Sequence, residues 1–303
     1  MMSSAGDSQG ILPTVPEGAE AVSLFGAPLK PQPLSPESRK ALEERLAQAE
    51  ADLEKDPKSA DALIWVGRRT AYLGRFRDAI RIFSQGIAEH PTDPRFLRHR
   101  GHRYISIREF GRAAVDLERA AKLIEGKPDE VEPDGIPNAK GVPTSTLHFN
   151  VYYHLGLAKY LNGDFEGAMR AYRECLMVSG LPDRLVATGY WAALTAKRLG
   201  NVAELARSLD SLPENLSVIE NAAYYRLLLM FKGTLTENEL LEGAKEGNDP
   251  PTVGCGVAAW RLLHGRKEEA EQLLRKVLAG SQWAAFGYIA AEAEMKRMGL
   301  RPE

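Results

Sequence analysis

The sequence lacks the features that mark several classes of protein. Its two cysteines, Cys175 and Cys255, are too few for a disulfide framework, and we expect Cys175 to be a buried free thiol. No apolar run approaches the length of a membrane span. The net charge of -2 over 303 residues indicates neither a nucleic-acid-binding protein nor an acidic tail. Phosphate-binding loops, zinc-protease motifs and serine nucleophile elbows are all missing, so the sequence names no catalytic residue and no cofactor.

The first 34 residues are rich in proline and glycine and show no sustained period, which predicts an extended arm. The start has no basic segment and no apolar core, so it does not resemble a signal peptide and indicates a cytoplasmic protein. The same polar leader would remain after removal of a signal, and a periplasmic or exported location is the alternative. One apolar cluster (Val22, Leu24, Phe25 and Leu29) predicts either disorder or docking on the helices that follow.

A repeating pattern begins at Ala60. Within residues 60–93, counting from Ala60, positions 8, 15, 17, 20, 24, 27 and 32 hold Gly67, Gly74, Phe76, Ala79, Phe83, Gly86 and Pro91. The pattern recurs 34 residues later, where Gly101 follows Gly67. It recurs again at Gly156, which is 55 residues after Gly101, or one repeat plus about 21 inserted residues.

This spacing resembles the tetratricopeptide repeat (TPR) family, whose unit is a pair of helices. The resemblance implies an all-α fold: a right-handed α-solenoid of stacked helix-turn-helix pairs, with capping helices at both ends and no strands. Ser35 before Pro36 predicts the start of the first capping helix. The predicted division is an arm at 1–34, a capping helix at 35–58 and a solenoid at 59–303. Within the solenoid we place clear repeats at 60–93, 94–124 and 149–180, an insertion loop at 125–148, and degenerate repeats with the final capping helix at 183–298.

Two arginines depart from the family pattern. Arg100 stands at position 7 of the second repeat, where leucine is usual, and Arg108 stands at position 15, where glycine is usual. The first of these places a charge near a packing position.

Charge is unevenly distributed along the chain. Residues 68–112 contain eleven arginines and four acids, whereas residues 127–134 contain four acids and one lysine. In the TPR family, one face of each first helix lines a concave groove, and carrying those positions over predicts a basic, tyrosine-lined groove. Such a groove suits a protein or peptide with acidic or carboxylate groups, although solvated arginines explain the pattern equally well. With their neighbours on the same surface and on the insertion, the candidate binding residues are Arg68, Tyr72, Arg98, His99, His102, Arg103, Asp134, Asn138, His148, Tyr153, His154, Tyr160, Tyr190 and Lys197.

The terminal-carboxylate clamp of some TPR proteins is absent in its usual form. Its five slots hold Ile64, Arg68, His99, Asn150 and His154 here. We therefore do not expect recognition of a chaperone tail. The acidic insertion suggests instead that Asp129, Glu130, Glu132 or Asp134 folds onto Arg98, His102 or Arg103, either completing the pocket or occupying it as an internal mimic of a ligand.

A second class of function uses the same residues. His99 and His102 lie on nearly one helix face, so a small-ligand receptor or an enzyme with a His/Arg cluster beneath the 125–148 insertion is the alternative to a non-catalytic scaffold. A metal held by these histidines, His148 and Asp134 is disfavoured, because Arg98, Arg100 and Arg103 surround them with positive charge. A closed, ligand-sized pocket would favour the alternative, and an open channel would favour the scaffold.

Overall fold

The structure is a computed structural model, and it describes residues 12–210, 212–245 and 249–302. The arm's first eleven residues lie outside this range. Two short strands precede the helices: β1 Ala21–Val22 and β2 Pro28–Leu29. The helices in chain order are α1 Pro36–Lys55, α2 Ala60–Tyr72, α3 Phe76–Glu89, α4 Pro94–Ser106, α5 Phe110–Ile124, α6 Leu147–Asn162, α7 Phe165–Met177, α8 Pro182–Arg198, α9 Val202–Asp210, α10 Ala222–Lys232, α11 Glu237–Gly243, α12 Asp249–Leu263, α13 Lys267–Leu278 and α14 Phe286–Arg297.

Local sequence sets where several helices begin and end. The Ser35 side chain accepts a hydrogen bond from the backbone N–H of Ser38 and so caps α1, as predicted. Thr236 and Glu239 form a reciprocal capping box at the start of α11. At the other end, α6 and α10 stop at Gly163 (φ 87°) and Gly233 (φ 86°). Glycine closes these helices because a side chain would strain this left-handed backbone.

The helices pack in pairs, and the pairs pack in chain order. Helix α2 packs on α3, α4 on α5 and α6 on α7, and the first helices of successive pairs also touch one another. Close approach within a pair depends on glycine: at Gly67 a Cβ would collide with the ring of Phe83. The fold is therefore an all-α helical-repeat solenoid, in which each pair buries its apolar face against its neighbours. One large core runs along the pairs, and a second small cluster lies between α1 and α2.

The two strands correct the prediction that the chain has none. They form a small antiparallel ribbon in the arm. Ala21 and Leu29 enter the solenoid core, and Leu24 and Phe25 pack against it, so the docked arrangement of the arm is confirmed. The Glu20 carboxylate accepts a hydrogen bond from the backbone N–H of Arg77 at the start of α3.

The last helix lies on the inner face of the solenoid. Helix α14 packs on α12 and α13, as expected for a capping helix, but it also contacts α6. Side chains extend its contacts to the turn between α4 and α5 through Arg108–Glu292, and to the end of α8 through Arg198–Glu294. The arm reaches the same region, because the Trp283 indole N–H donates to the carbonyl of Lys30. The chain's own C-terminal helix thus fills the concave face over α6 and α8.

Both cysteines are buried free thiols, as predicted for Cys175. Among the described residues, no helix combines the length and the apolar character needed to cross a membrane.

Candidate functional site

A cavity of about 110 Å³ lies between α2 and α4 on the part of the concave face that α14 leaves uncovered. Its lining residues are Arg68, Ala71, Tyr72, Phe83, Arg98, His99, His102, Arg103 and Glu132. Six of the predicted site residues therefore meet in one place. Arg68, Tyr72, His102 and Arg103 are partly exposed, so solvent reaches the cavity.

The insertion forms one wall of this cavity. Arg68 donates to the carbonyl of Pro133 at 2.8 Å, and Arg69 donates to the carbonyl of Gly135 at 2.6 Å. Gly135 lies so close to the Tyr72 hydroxyl that no side chain would fit at that position. Residues 132–135 therefore form a clasp over the C-terminal half of α2, fixed by backbone groups as well as by charge.

Glu132 is the carboxylate that the insertion brings into the cavity. It lies 2.9 Å from the Arg98 guanidinium, and both side chains are about nine-tenths buried. Asn150 on α6 donates to its other oxygen at 2.9 Å, which fixes the carboxylate from a third element. The expectation that an acid of the insertion folds onto Arg98 is confirmed, and the acid is Glu132.

One nitrogen of the Arg98 guanidinium has no hydrogen-bond partner among the described residues. One terminal nitrogen lies 2.9 Å from His99 Nδ1 and the other is the one paired with Glu132. Its Nε is buried and has no hydrogen-bond partner. A buried donor without a partner costs the folded state free energy.

Arg103 has no carboxylate partner among the described residues. Its guanidinium lies 5.1 Å from the ring centroid of Phe76, a cation–π contact. Burial, together with the neighbouring charges of Arg98 and Arg68, lowers the pKa of Arg103 to about 10. The side chain stays charged at neutral pH, and its charge is not balanced.

The histidines beside the cavity are neutral. Burial is the largest cause that lowers the pKa of His99, His102 and His154 well below the ordinary value, and nearby arginine charges lower it further. The rings of His102 and His154 are in contact, with centroids 4.4 Å apart and planes tilted by 33°. No group of three or more His, Cys, Asp or Glu side chains in the described part of the chain is arranged to hold a metal ion.

The tyrosines predicted to line an open groove are buried instead. The Tyr153 hydroxyl accepts from the Trp191 indole, Tyr160 donates to Glu294, and Tyr190 packs against Trp191. This corrects the expectation of a groove running from the first repeat to the fourth. The reason is that α14 and the degenerate repeats cover those positions.

The remaining candidates lie around the cavity or away from it. His148 is buried at the start of α6, and Lys197 lies 5.9 Å from the ring centroid of Trp260, away from the cavity lining. Asn138 ties the insertion together by donating to the Val142 carbonyl, and it also donates to Glu220.

Asp134 is partly exposed and does not line the cavity. Burial raises the pKa of Asp134, and the charge of Glu220 raises it further, while Arg68 opposes this.

Sequence reasoning missed the ion pairs that position α14. Arg108 has φ 69°, so it adopts the left-handed backbone that glycine usually provides at this repeat position. Its guanidinium lies 2.9 Å from Glu292 and donates to the Trp283 carbonyl. The arginine at a glycine position was the available signal, because strained backbone persists only where other contacts hold it.

The charge of Arg100 is also explained by the structure. Arg100 makes a two-pronged contact with Asp116 on α5, with both distances 2.7 Å, and it donates to Ser84. These contacts show how a charge is accommodated at a position where the repeat pattern predicts leucine. Arg100 is therefore part of the packing between helix pairs.

No known family profile matches the sequence, and no curated protein matches it. Solved structures of similar fold include MamA, with 18% identity and a TM-score of 0.43 over 59% of this chain and 94% of that one. YrrB, described as a TPR protein with an unusual peptide-binding site, has 10% identity and a TM-score of 0.44 over 81% and 97% of the two chains. A tetratricopeptide repeat protein from Parabacteroides merdae has 16% identity and a TM-score of 0.49 over 85% and 99%. The chain is thus similar to TPR proteins, and the assignment of its fold rests on its own helix pairs.

Proposed function

We propose that this chain is a non-catalytic protein-interaction scaffold that binds an acidic segment of a partner protein at the cavity between α2 and α4. The partner's anionic group enters the cavity, and the neighbouring exposed surface of the first two repeats holds the rest of the segment. The cavity residues Arg68, Tyr72, Arg98 and Arg103 provide the donors.

The position of α14 limits where a partner can bind. It covers the inner face of α6 and α8, and its Phe286 ring lies 5.2 Å from His102 at the edge of the cavity. A partner segment would therefore end against α14 instead of running the full length of the solenoid. This favours recognition of a short segment or a single side chain.

The surplus of positive charge in the cavity is the observation that carries the proposal. Three arginines line it with one carboxylate, Glu132. Arginines that only support the fold are normally paired when they are removed from water, because an unpaired buried charge is costly. An acidic ligand would supply the missing charge.

The size of the cavity separates this proposal from the small-ligand alternative. Its volume of about 110 Å³ is well below the ~300 Å³ at which pockets for drug-sized ligands and cofactors begin. A space of this size holds one functional group of a larger partner. That comparison favours a binding socket over a receptor for a whole metabolite or an enzyme active site.

A selection from a random peptide display library tests the proposal. The wild-type chain should enrich peptides that contain Asp or Glu, and Arg103→Glu should lose them. The matched control is Arg81→Glu, an arginine on α3 with an exposed side chain outside the cavity lining. Arg98 is unsuitable for this purpose, since reversing it would place two buried carboxylates together. Peptides without acidic residues, or equal enrichment by wild type and Arg103→Glu, would contradict the proposal.

A further inference from the structure

We propose that the group recognised in this cavity is a phosphoryl dianion, presented by a phosphorylated side chain of the partner protein. This rests on the proposed function, since it names the acidic group that the scaffold binds.

The balance of charge distinguishes a dianion from a carboxylate. Arg68, Arg98 and Arg103 carry three positive charges, and Glu132 is the one acid that lines the cavity. The surplus is two charges. A single carboxylate would leave one of them unbalanced in a partly desolvated site, whereas a phosphomonoester carries about -1.5 to -2 at neutral pH. Asp134 lies near Arg68 but does not line the cavity or form an ion pair within the described residues, so it does not change this count at the site itself.

The available donors also suit three acceptor oxygens. Arg103 offers its guanidinium from α4, and Tyr72 and Arg68 offer groups from α2. A phosphoryl group presents three strong acceptors, one more than a carboxylate, and a planar guanidinium can donate two parallel hydrogen bonds to such a group. Donors from two helices can therefore surround it on different sides.

The surroundings hold Arg98 and Arg68 in place before a ligand arrives. Arg98 is fixed by Glu132 and His99, and Arg68 is fixed by the carbonyl of Pro133 in the clasp. Arg103 differs from these two arginines. It lines the cavity, but it makes no polar contact with the described part of the protein. Because little side-chain freedom has to be lost at Arg98 and Arg68, ligand binding costs less conformational entropy.

The volume is consistent with one such group. At about 110 Å³, the cavity exceeds several-fold the ~10–15 Å³ that one water requires. It admits a phosphoryl group and leaves the rest of a phosphorylated residue at the mouth, beside the partly exposed Arg68 and His102.

The test measures binding by isothermal titration and fluorescence anisotropy at pH 7.5 and constant ionic strength. The first probes are inorganic phosphate and acetate. The second are one degenerate phosphoserine peptide library, the same library without phosphate, and the same library with Glu at the phosphoserine position. Proteins are wild type, Arg103→Gln and the control Arg81→Gln, each checked for its helical circular dichroism. Arg68→Gln replaces Arg103→Gln if the latter does not fold.

The expected result is that phosphate and the phosphopeptides bind to wild type and to Arg81→Gln. Arg103→Gln should bind them on the order of tenfold more weakly, the effect of losing one charge-assisted hydrogen bond. Acetate and the Glu library should bind less tightly than their phosphorylated counterparts.

Three results would overturn the inference. If acetate or the Glu library binds as tightly as the phosphorylated probe, the socket takes a monoanion, and the proposed scaffold function stands without the dianion. If inorganic phosphate binds but phosphopeptides do not, the ligand is a free anion and not a partner's side chain. If no phosphorylated probe binds while acidic peptides are still selected in the display experiment, the phosphoryl assignment fails and the scaffold does not.

Discussion

Two neighbouring clusters of arginines on the concave face are paired with acids in opposite ways. Beneath α14, Arg108 meets Glu292 at 2.9 Å, with both side chains almost fully buried. Nearby, Glu294 is paired with both Arg198 and Arg297. In the cavity between α2 and α4, by contrast, Glu132 is the one acid lining a site with three arginines.

The two clusters contribute to different properties of the protein. A fully paired buried cluster holds two elements together, and removing one partner leaves an uncompensated charge. An unbalanced cluster costs the folded state free energy until an anion arrives, which is the arrangement expected of a binding site. We therefore expect mutations in the paired cluster beneath α14 to lower stability, and mutations of the cavity arginines to lower affinity for an anion.

The largest effect is expected from Glu292→Gln, which leaves Arg108 buried without its counterion. The free energy of unfolding should fall by about 3–5 kcal/mol, the usual cost of breaking a buried pair. Urea unfolding followed by circular dichroism measures it. The exposed pair Arg39–Glu43 provides the control, since Glu43→Gln should cost no more than about 1 kcal/mol. Equal effects at both sites would mean that α14 is not fixed by this pair.

As the pH falls, the histidines beside the cavity should lower stability before the paired glutamates beneath α14 do. His99, His102 and His154 have pKa values well below the ordinary 6.5, chiefly because they are buried. Below about pH 6.5 the unfolded chain binds protons that the folded chain does not, so stability falls by about 1.4 kcal/mol per histidine at pH 5.5. Facing them are Arg68, Arg98 and Arg103, with Glu132 3.9 Å from His99 and the Phe286 ring beside His102 and His154.

The paired cluster beneath α14 should lose stability only at lower pH. Although burial raises the pKa of Glu294, the charges of Arg297 and Arg198 bring it below the ordinary value of 4.5. Its stabilisation is therefore present above that value and is lost only as the pH falls below it. Urea unfolding at pH 7.5 and 5.5 checks the difference, and His102→Gln should remove about a third of the loss. A variant that retains the whole loss would show that His102 is not among the groups responsible.

Glu132→Gln should produce a smaller loss of stability than Glu292→Gln and a gain in anion affinity. It breaks the pair with Arg98 at the wall of the cavity, so we expect a cost of about 2–3 kcal/mol, below the full range for enclosed pairs. It also raises the surplus charge from two to three, so anions should bind at least as tightly as to wild type. Titration with inorganic phosphate measures the second effect, and weaker binding would indicate that Glu132 positions Arg98 for the ligand.

The repeat pattern predicted the helix pairs because each residue of the pattern meets a local requirement of the backbone or of helix packing. Gly67 permits close approach to Phe83, and Gly163 permits a left-handed turn. The chain's closure on itself depends on contacts between distant residues, such as Arg108 with Glu292, 184 positions apart. The apolar residues on all sides of α14, including Ile289 and Met295, are the local feature that fits its burial.

The cavity was partly predictable for the same reason. Arg68, Arg98 and His102 follow from repeat positions on first helices, and the acidic insertion indicated a counter-charge for them. Which acid enters the cavity, Glu132 and not Asp134, depends on how residues 131 and 146 pair in the insertion. No local pattern specifies that register.

The most direct test of the contrast between the paired arginines beneath α14 and the arginines of the cavity is the unfolding of Arg103→Gln with and without inorganic phosphate. If Arg103 serves binding, its loss should change the free energy of unfolding by no more than about 1 kcal/mol, the size of its contact with Phe76. Phosphate should then stabilise wild type clearly more than the variant, as expected for a ligand that binds only the folded state. A loss of 3 kcal/mol or more, of the order of a broken buried pair, together with equal stabilisation of both proteins by phosphate, would show that Arg103 supports the fold and would contradict the account.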